Sequence, residues 1–593
     1  MAKAVSWLHL SMQYAWGKKG KESVVAKLKG LGDAEYTVQP EETYAEMWIG
    51  THPSGPSRVV RDGCPGPLLK EILDDNPHVL GAIRWKADLP FLFKVISISK
   101  ALSIQAHPDK RLAERLHAER PDVYKDDNHK PEMAVTLSDF EGLCGFRPFY
   151  EIVWNLHAYP ELRSMVSYSA LKAVCSAGDD VERQRTALKK LFGSFVKCDK
   201  NVVRTQVASL VTRLKKKAKV IADRRLTPPR NPEAAPEPLR QVISAYGGTS
   251  TSASTNVANN GEGSSLSRNP SMHLGGFVNG GGFFQSTIAT MTSVDSSGSL
   301  SDYGGSRNSF SRNSFSRNSN GSGARPTINS FDARKFESIE EAAQESACGA
   351  TNGAADTVSD ADVFMSEEIF GKAFRGGPKA AAGLVARLER EDVDVQRVMV
   401  RLSTEYPGDL GILMPLMLNL LQLRPGQSFF MTVDEPHAYL RGDILEVMAC
   451  SNNVVRAALT PKFRDVNLLV EMLTYNMGAP AVLPAESVDA YRKRYTPPIN
   501  DFEIQILQVP ANDRYALEAM PVPVVLVVLK GGVGGRVIES DSGKEIKACE
   551  GGVFFLPAYT PVMVCSCKKG EGIEMALAHT NLHWGTLAGS GSA

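Results

Sequence analysis

The stretch ALSIQAHPDK, residues 101–110, is an unusual sequence for a β-strand. Side chains alternate between the two faces of a strand, so this one would carry apolar residues on one face and polar residues on the other. The polar face would consist of Ser103, Gln105 and His107. A hydroxyl, an amide and an imidazole in a row fit either the solvated face of an edge strand or a metal site. The rest of the chain has to decide between these two interpretations.

The size and charge of the chain limit the possible functions. At 593 residues the chain is too long for one domain, and its 43% hydrophobic and 22% charged residues are typical of a soluble globular protein. Its 67 basic and 66 acidic side chains give a net charge of +1, so electrostatics give no reason to expect nucleic acid or an anionic membrane as a partner. We interpret the basic run RLKKKAK (213–219) as the solvated face of a helix.

The cysteines and the apolar segments indicate a compartment. Nine cysteines, an odd number scattered through a large chain, fit reduced thiols better than a disulfide framework. No apolar run approaches the roughly 20 residues that cross a bilayer, and residues 1–17 lack the apolar core and cleavage site of a signal peptide. We therefore expect a cytoplasmic protein without a membrane or nucleic-acid partner, acting as a monomer.

Residue texture divides the chain into blocks of predicted β and α structure. Apolar runs such as LPFLFKVISIS (89–99) are interrupted by Pro, Gly and Asp, as in strands, whereas LKKLFGSFV and GILMPLMLNLLQL have apolar residues at spacings that we interpret as helical. The predicted blocks are residues 1–150 (β), 151–424 (α), 425–490 (β) and 491–593 (β). If the first and third blocks form one domain, the helical block is an insertion into it.

A segment of different composition interrupts the helical block. Residues 245–330 are dominated by Ser, Gly and Asn, and such a segment buries too little apolar surface to offset the entropy of ordering, so we expect it to be disordered. Within it, the repeat SRNSFSRNSFSRNSN (306–320) places Ser309, Ser314 and Ser319 each two residues after an arginine. The repeat is either a low-complexity linker or a set of phosphorylation sites that recruit a partner.

Three further short stretches carry polar residues that suit a site with His107: Glu132 in PEMAVTL (131–137), His437 in EPHAY (435–439) and Arg456 in NVVR (453–456). Two imidazoles and a carboxylate are suitable ligands for Zn²⁺, and an amide oxygen is a less usual one. Mixed N/O ligation with an open position suits a Lewis acid that binds substrate oxygens. From spacing alone, His52, His129 or His583 would serve equally well, so the residues by themselves leave a metal site and an ordinary polar strand both open.

A resemblance to a known family decides between them. Six long motifs, in order along the chain, resemble the type I phosphomannose isomerases: YAWGKKG (14–20), YAEMWIGTHPSGPS (44–57), LPFLFKVISISKALSIQAHPDK (89–110), YKDDNHKPEMAV (124–135), LCGFRP (143–148) and EPHAYLRGDILEVMACSNNVVRAALTPK (435–462). The motifs cover residues 1–150 and 425–475, while the serine-rich segment is foreign to the family. Asn452 stands where the family more often has Asp, which removes a carboxylate near the site.

The resemblance implies a fold, a metal and a reaction. It implies a mainly β protein with two cupin-type (jelly-roll) barrels, a helical domain inserted into the first barrel, and a single zinc held by Gln105, His107, Glu132 and His437. The implied reaction interconverts mannose 6-phosphate and fructose 6-phosphate by proton transfer through an enediolate, which a cation beside the developing oxygen anion stabilises. The mannose 6-phosphate made by this reaction would serve GDP-mannose and glycan synthesis, or the reaction would serve mannose catabolism.

The resemblance also suggests roles for the residues around the metal. Arg456 would stabilise transition-state charge, although an arginine in a salt bridge at a barrel rim is the structural alternative. Lys130 and His129 are candidates for proton transfer or ring opening, and the catalytic base stays unassigned. The other predicted substrate-binding residues fall into a set for phosphate or hydroxyl groups, Ser103, Lys94, Lys100 and Lys462, and a set that shapes the pocket, Glu46, Trp16, Tyr439 and Glu446.

Two other classes of function fit a cupin-type fold. One is a binding or scaffold protein that recruits partners through its insert, and an intact ligand set argues against it. The other is an Fe²⁺ oxygenase, which usually has two histidines and one carboxylate with spare positions for oxygen. Gln105 as a fourth ligand and several lysines suited to a phosphate dianion favour the isomerase.

Overall fold

The computed structural model divides into two compact units, Met1–Ser250 with Val358–Ala593, and Thr251–Thr357. The structure describes residues 3–4, 11–33, 35–61, 64–83, 88–226, 378–531, 534–567 and 572–583. The second unit lies outside the described residues, and so do the predicted disordered segment and its serine repeat.

Strands occur on both sides of a helical region in the described part of the chain. Those before it are β1 (Lys3–Ala4), β2 (Ser11–Met12), β3 (Lys18–Lys19), β4 (Thr43–Tyr44), β5 (Glu46–Ile49), β6 (Arg58–Arg61), β7 (Cys64–Leu68), β8 (Phe91–Ile98), β9 (Ile104–Ala106), β10 (Glu132–Thr136) and β11 (Phe140–Phe146). Those after it are β12 (Leu418–Leu423), β13 (Ser428–Met431), β14 (His437–Ala449), β15 (Val455–Ala458), β16 (Val482–Leu483), β17 (Glu486–Ser487), β18 (Arg492–Tyr495), β19 (Glu503–Val509), β20 (Arg514–Leu517), β21 (Val524–Lys530), β22 (Arg536–Glu539), β23 (Glu545–Lys547), β24 (Val553–Leu556), β25 (Val562–Cys565) and β26 (Ile573–His579).

The helices are concentrated between β11 and β12. The described α-helices are α1 (Val24–Gly32), α2 (Leu69–Asp75), α3 (Lys110–Glu119), α4 (Phe149–Ala158), α5 (Pro160–Arg163), α6 (Tyr168–Ser176), α7 (Val181–Val196), α8 (Lys200–Leu226), α9 (Pro378–Glu405) and α10 (Val466–Met472). Side-chain caps fix several starts, since Asp109 accepts from the Leu112 N–H and Asp180 from the Arg183 N–H. None of the described helices has the length and hydropathy needed to cross a membrane.

The longest strand, β14, organises the sheet that carries the predicted site. It pairs antiparallel with β8, β9, β10 and β11, so segments from before and after the helical region share one sheet. The register places Glu446 directly opposite Lys94 on β8 and Ala134 on β10. Glu132 lies two residues before Ala134 on β10. Because side chains alternate along a strand, Glu132 and Ala134 share a face of β10.

The C-terminal strands, joined by β1 from the start of the chain, form two further sheets. The seven-stranded sheet has the order β1-β24-β21-β26-β19-β18-β17, and the four-stranded sheet has the order β20-β25-β22-β23. Buried residues of both sheets, including Leu526, Met575 and Val564, form one hydrophobic cluster. The β-rich texture predicted for residues 491–593 is therefore confirmed over the described strands.

A second hydrophobic cluster packs the helices against β9. Ile104 and Ala106 belong to it together with Phe192 of α7 and Met399 of α9, and all four are fully buried. Burying a side chain such as that of Phe192 contributes about 1.5–3 kcal/mol. The apolar face of β9 is thus held by the helices, which turns Gln105 to the opposite face.

Two local predictions need correction. The helical interpretation of residues 411–423 is wrong, because 3-10 turns at Leu410–Ile412 and Met414–Leu416 lead into β12, which pairs with β11. A short, continuously apolar run has no periodicity that separates a buried strand from a helix. The strand in ALSIQAHPDK is also shorter than expected and covers only Ile104–Ala106, because Pro108 lies two residues on and Asp109 caps α3.

Candidate metal centre and the adjoining cavity

Three of the four predicted metal ligands converge. The His107 Nε2 atom lies 3.4 Å from Glu132 Oε1, and the His437 Nε2 atom lies 3.2 Å from Glu132 Oε2. Glu132 begins β10, His437 begins β14, and His107 directly follows β9. All three side chains are buried, and one ligand atom of each falls within 4.8 Å of the others. These residues form a group that could hold one metal ion.

The hydrogen bonds of the two imidazoles leave their Nε2 atoms available. His107 Nδ1 lies 2.6 Å from the Asn453 carbonyl oxygen, and His437 Nδ1 lies 3.1 Å from the Glu435 carbonyl oxygen. Because a carbonyl only accepts, each Nδ1 carries the proton and donates it, and each Nε2 presents a lone pair. Both Nε2 atoms and Glu132 Oε2 are buried, and none of the three has a hydrogen-bond partner among the described residues. Buried polar atoms are rarely left unsatisfied, and a divalent cation would satisfy all three.

The electrostatics of the group give the protonation states that a metal requires. Burial opposes charge on Glu132, but Lys130, whose Nζ lies 2.9 Å from Glu132 Oε1, and His107 hold the pKa of this carboxyl well below its usual range. Burial and the charge of Lys130 lower the pKa of His107 to about 4. A carboxylate and a neutral imidazole are the forms that bind metals.

Gln105 lies beside this group in the sheet. It is the cross-strand neighbour of His437 on β14 and of Arg456 on β15. Side chains directly opposite each other in an antiparallel pair have Cβ atoms about 4.5–5.5 Å apart. The Gln105 Oε1 atom accepts a hydrogen bond from Ser103 Oγ at 3.1 Å, so the polar face of the opening sequence is continuous.

A cavity of about 360 Å³ adjoins the metal group, and most of the predicted site residues line it. They are Trp16, Glu46, Lys94, Ser103, Gln105, Lys130, Glu132, Tyr439, Glu446, Arg456 and Lys462. Its volume falls in the range of small-molecule sites, which is about 300–1,000 Å³.

Four predicted residues do not line this cavity: the metal ligands His107 and His437, which lie behind Glu132, and two residues that lie elsewhere, His129 and Lys100. His129 Nε2 lies 3.0 Å from Asp501 Oδ1, on the C-terminal side of the protein. Lys100 Nζ lies 4.2 Å from the centroid of the Tyr406 ring and lines a neighbouring cavity. The structure therefore brings Lys130 to the cavity and leaves its neighbour His129 outside.

A buried network of charged and phenolic groups forms one wall of the cavity. Lys94 Nζ lies 2.8 Å from Glu446 Oε2 and 3.8 Å from Glu46 Oε2, and the Tyr439 hydroxyl donates to Glu446 Oε1 at 2.6 Å. Burial opposes charge on Lys94, but Glu446 and Glu46 raise the pKa of its ammonium group. Burial raises the pKa of Glu446 above its usual value despite the nearby lysine. The wall is therefore held rigidly by partners within the protein.

Arg456 differs from these groups because it has no counter-ion among the described residues. Within the described residues, no carboxylate oxygen lies within 4.0 Å of its guanidinium. The side chain is half-buried, and burial lowers the pKa of the guanidinium. Among the described residues, Arg456 therefore does not form the salt bridge that the structural alternative, an arginine at a barrel rim, would require. An uncompensated cation facing the cavity can instead contact an anion within it.

Sequence reasoning missed several aromatic and polar residues of the cavity. Trp48 donates from Nε1 to Glu46, and its ring lies 5.1 Å from that of His52. Both residues lie in the YAEMWIGTHPSGPS motif. Alternation along β5 and the loop after it could have indicated that they face the cavity. Tyr406 follows α9, where no strand periodicity could have indicated a cavity.

Comparisons with known proteins agree with this geometry. The phosphomannose isomerase type I catalytic-domain model matches residues 8–149. The chain is 29% identical to mouse (Mus musculus) mannose-6-phosphate isomerase, covering 93% of each chain, and 27% identical to mannose-6-phosphate isomerase 1 of Arabidopsis thaliana, covering 93% of this chain and 88% of that one. The chain is thus similar to the type I phosphomannose isomerases over most of its length. The predicted family resemblance and the predicted enzyme class, a mannose-6-phosphate isomerase, are confirmed.

Solved structures of phosphomannose isomerases share the fold. A variant of the Salmonella typhimurium enzyme superposes with a TM-score of 0.57 at 19% identity, covering 98% of this chain and all of that one. A structure described as zinc-bound holo mannose 6-phosphate isomerase gives a TM-score of 0.55 at the same identity and coverage. The fold of this chain is sheet-rich with several helices, as in these phosphomannose isomerase structures.

Proposed function

We propose that this protein is a zinc-dependent aldose-ketose isomerase that interconverts mannose 6-phosphate and fructose 6-phosphate. The observation that carries the proposal is the convergence of three ligand atoms, from His107, Glu132 and His437, that lack a hydrogen-bond partner within the described residues. They lie beside a cavity whose arginine is unpaired in the same part of the chain. Neutral nitrogen and anionic oxygen ligands suit Zn²⁺. An unpaired cation suits an anionic sugar phosphate and the negative charge that develops in the reaction.

The proposed architecture has two cupin-type barrels and an inserted helical domain. Residues 1–150 and 425–490 would form the catalytic barrel, residues 151–424 the insertion, and residues 491–593 the second barrel. Pairing of β8 and β10 with β14 across the helical region supports a single catalytic domain built from both segments.

We propose one zinc per subunit, with Gln105 as the fourth ligand. Its position between His437 and Arg456 in the sheet supports this role. When bound, zinc supplies a Lewis acid that polarises substrate oxygens. Lys130 would keep Glu132 ionised, and the carbonyl groups of Asn453 and Glu435 would keep both imidazoles turned towards the ion.

The residues of the cavity would handle charge and protons around the substrate. Arg456 would bind the oxygen on which negative charge develops as an enediolate forms. Ser103 and Lys462 would bind the phosphate or hydroxyl groups, while Lys94, Glu446 and Tyr439 would fix the pocket wall. Lys130 is the better placed of the two proton-transfer candidates, because it lines the cavity whereas His129 contacts Asp501 outside it.

An iron-dependent oxygenase is a second candidate, since two histidines and one carboxylate are also the ligand set of such enzymes. Gln105 beside the ligands and the cations of the cavity favour the isomerase. A coupled assay of mannose 6-phosphate conversion, with metal analysis of the same sample, separates the two. We expect isomerisation that a chelator abolishes and Zn²⁺ restores. An Fe²⁺-loaded protein that consumes oxygen and leaves the sugar phosphate unchanged would refute the proposal.

The wider physiological setting is also proposed. The enzyme would act as a cytoplasmic monomer and supply mannose 6-phosphate for GDP-mannose and glycan synthesis, or draw on it for mannose catabolism. We expect its partner to be the sugar phosphate, without nucleic acid or membrane, and the serine repeat at 306–320 stays a candidate phosphorylation-dependent contact.

A further inference from the structure

A second, larger cavity lies next to the one described above. It has a volume of about 840 Å³, against about 360 Å³ for the cavity beside the metal group. The two cavities share Tyr406, Thr460, Pro461 and Lys462 as a common wall. Apart from Lys100, its other lining residues come from the helical region and from the segment between β15 and the start of α10, so most of its wall is not shared with the first cavity.

The second cavity is strongly basic. Five cationic side chains line it, namely Lys100, Lys200, Arg204, Lys462 and Arg464. Two acidic side chains, Glu405 and Asp409, also line it. This lining therefore carries a net charge of +3.

Both acidic groups are already engaged with the protein. Glu405 Oε2 accepts from the Ala101 N–H at 2.9 Å, and Glu405 Oε1 lies 3.4 Å from Arg401 Nε. Asp409 Oδ1 accepts from the backbone N–H groups of Gly411 and Leu459, at 2.7 and 2.9 Å. Neither carboxylate forms an ion pair with any of the described lysines and arginines that line this cavity.

The five cations have no carboxylate partner among the residues that the structure describes. In the described part of the chain, no acidic oxygen lies within 4.0 Å of any of their charged nitrogens. Lys100 stacks over the Tyr406 ring, and Arg464 donates to the Ala457 carbonyl oxygen at 3.0 Å. Like charges that converge on a concave surface repel each other and raise the local concentration of anions. An anion bound in this cavity would relieve that repulsion.

We propose that this second cavity binds a small organic molecule with two or more phosphate groups, separately from the monophosphate substrate. Its larger volume and its net charge suit a ligand with a charge of about −3 to −4, whereas a single phosphate dianion would leave cations unpaired. Lys200 and Arg204, one turn apart at the start of α8, form the wall farthest in sequence from the metal ligands.

Occupation of the second cavity would reach the first through the common wall. Lys462 lines both cavities and has no ion-pair partner among the described residues, so it can turn its charge to either ligand. A polyphosphate ligand would draw Lys462 away from the substrate. This consequence rests on the proposed isomerase function, and we expect the KM for mannose 6-phosphate to rise about fivefold with little change in kcat.

The test is a calorimetric titration of the zinc-loaded full chain with fructose 1,6-bisphosphate. It is carried out in saturating mannose 6-phosphate, which keeps the catalytic cavity occupied. The double variant Lys200→Gln with Arg204→Gln removes two cations of the second cavity and no predicted catalytic residue. The matched control, Lys215→Gln with Lys216→Gln, removes the same charge from exposed positions of the same helix that do not line the cavity. We expect the dissociation constant to rise at least about tenfold in the first variant and to stay unchanged in the control.

Two results would overturn the inference. The first is that the bisphosphate does not bind. The second is that saturating mannose 6-phosphate abolishes its binding while the Lys200/Arg204 variant does not weaken it. That second result would place the bisphosphate in the catalytic cavity. A chain without isomerase activity that still binds the bisphosphate through Lys200 and Arg204 would refute the proposed function and leave this inference standing. The rise in KM should be lost in the Lys200/Arg204 variant and kept in the control.

Discussion

Replacement of Arg456 by alanine tests the proposal that Arg456 stabilises negative charge on the substrate while other residues hold the metal. The guanidinium lines the cavity and has no counter-ion in the described part of the chain, so its charge is available to the substrate. A unit charge about 4 Å from a developing anion contributes about 4 kcal/mol at the effective dielectric constant of about 20 that suits protein sites. Loss of one oxyanion-stabilising donor costs about 10²–10³-fold in kcat, or about 3–4 kcal/mol, which agrees with that electrostatic figure.

We therefore expect Arg456→Ala to lower kcat for mannose 6-phosphate by about 10²–10³-fold, measured in a coupled assay. Zinc content, measured on the same sample, should stay at the wild-type value because Arg456 is not among the converging ligands. The melting temperature should change little, since the substitution breaks no ion pair. Arg441→Ala, at an exposed position of β14, is the matched control and should keep the wild-type rate. A parallel loss of zinc, or an unchanged kcat, would refute this role for Arg456.

Three other predictions concern the buried charges. Glu132→Gln should abolish tight zinc binding, as measured by metal analysis after dialysis, because the carboxylate that both imidazoles face is lost. Lys94→Met should lower the free energy of unfolding by about 3–5 kcal/mol in a urea titration, because Glu446 is left buried without its counter-charge; a variant as stable as wild type would contradict this. Burial lowers the pKa of His52 to about 4, so the unfolded chain binds more protons between about pH 6.5 and 4, and stability should fall by up to about 3 kcal/mol as the pH drops through that window. His52→Gln should flatten this part of the stability profile, and an unchanged slope would show that His52 is not the group responsible.

Much of the site could be predicted because it lies on strands. Alternation along ALSIQAHPDK correctly separated Ile104 and Ala106, which pack against the helices, from Gln105, which faces the cavity. The residues alone could not choose between His107 and other histidines, since partners such as His437 are more than 300 positions away and the pairing of β9 with β14 brings them together. The family motifs supplied that long-range information.

The failures have equally specific causes. The segment around Leu418 reads as helix or strand with equal ease, and only its pairing with β11 decides. His129 and Lys130 are neighbours in sequence, but they point to opposite environments, with His129 against Asp501 and Lys130 against Glu132. Tyr406 enters the cavity from the end of a helix, and no local pattern indicates such a long-range contact.

The most direct test of the central claim is anomalous diffraction at the zinc edge from crystals of zinc-replete protein. We predict one strong peak enclosed by His107 Nε2, His437 Nε2, a Glu132 carboxylate oxygen and the Gln105 side-chain oxygen. Crystals that show no anomalous density between those four side chains, or density only elsewhere in the molecule, would contradict the account.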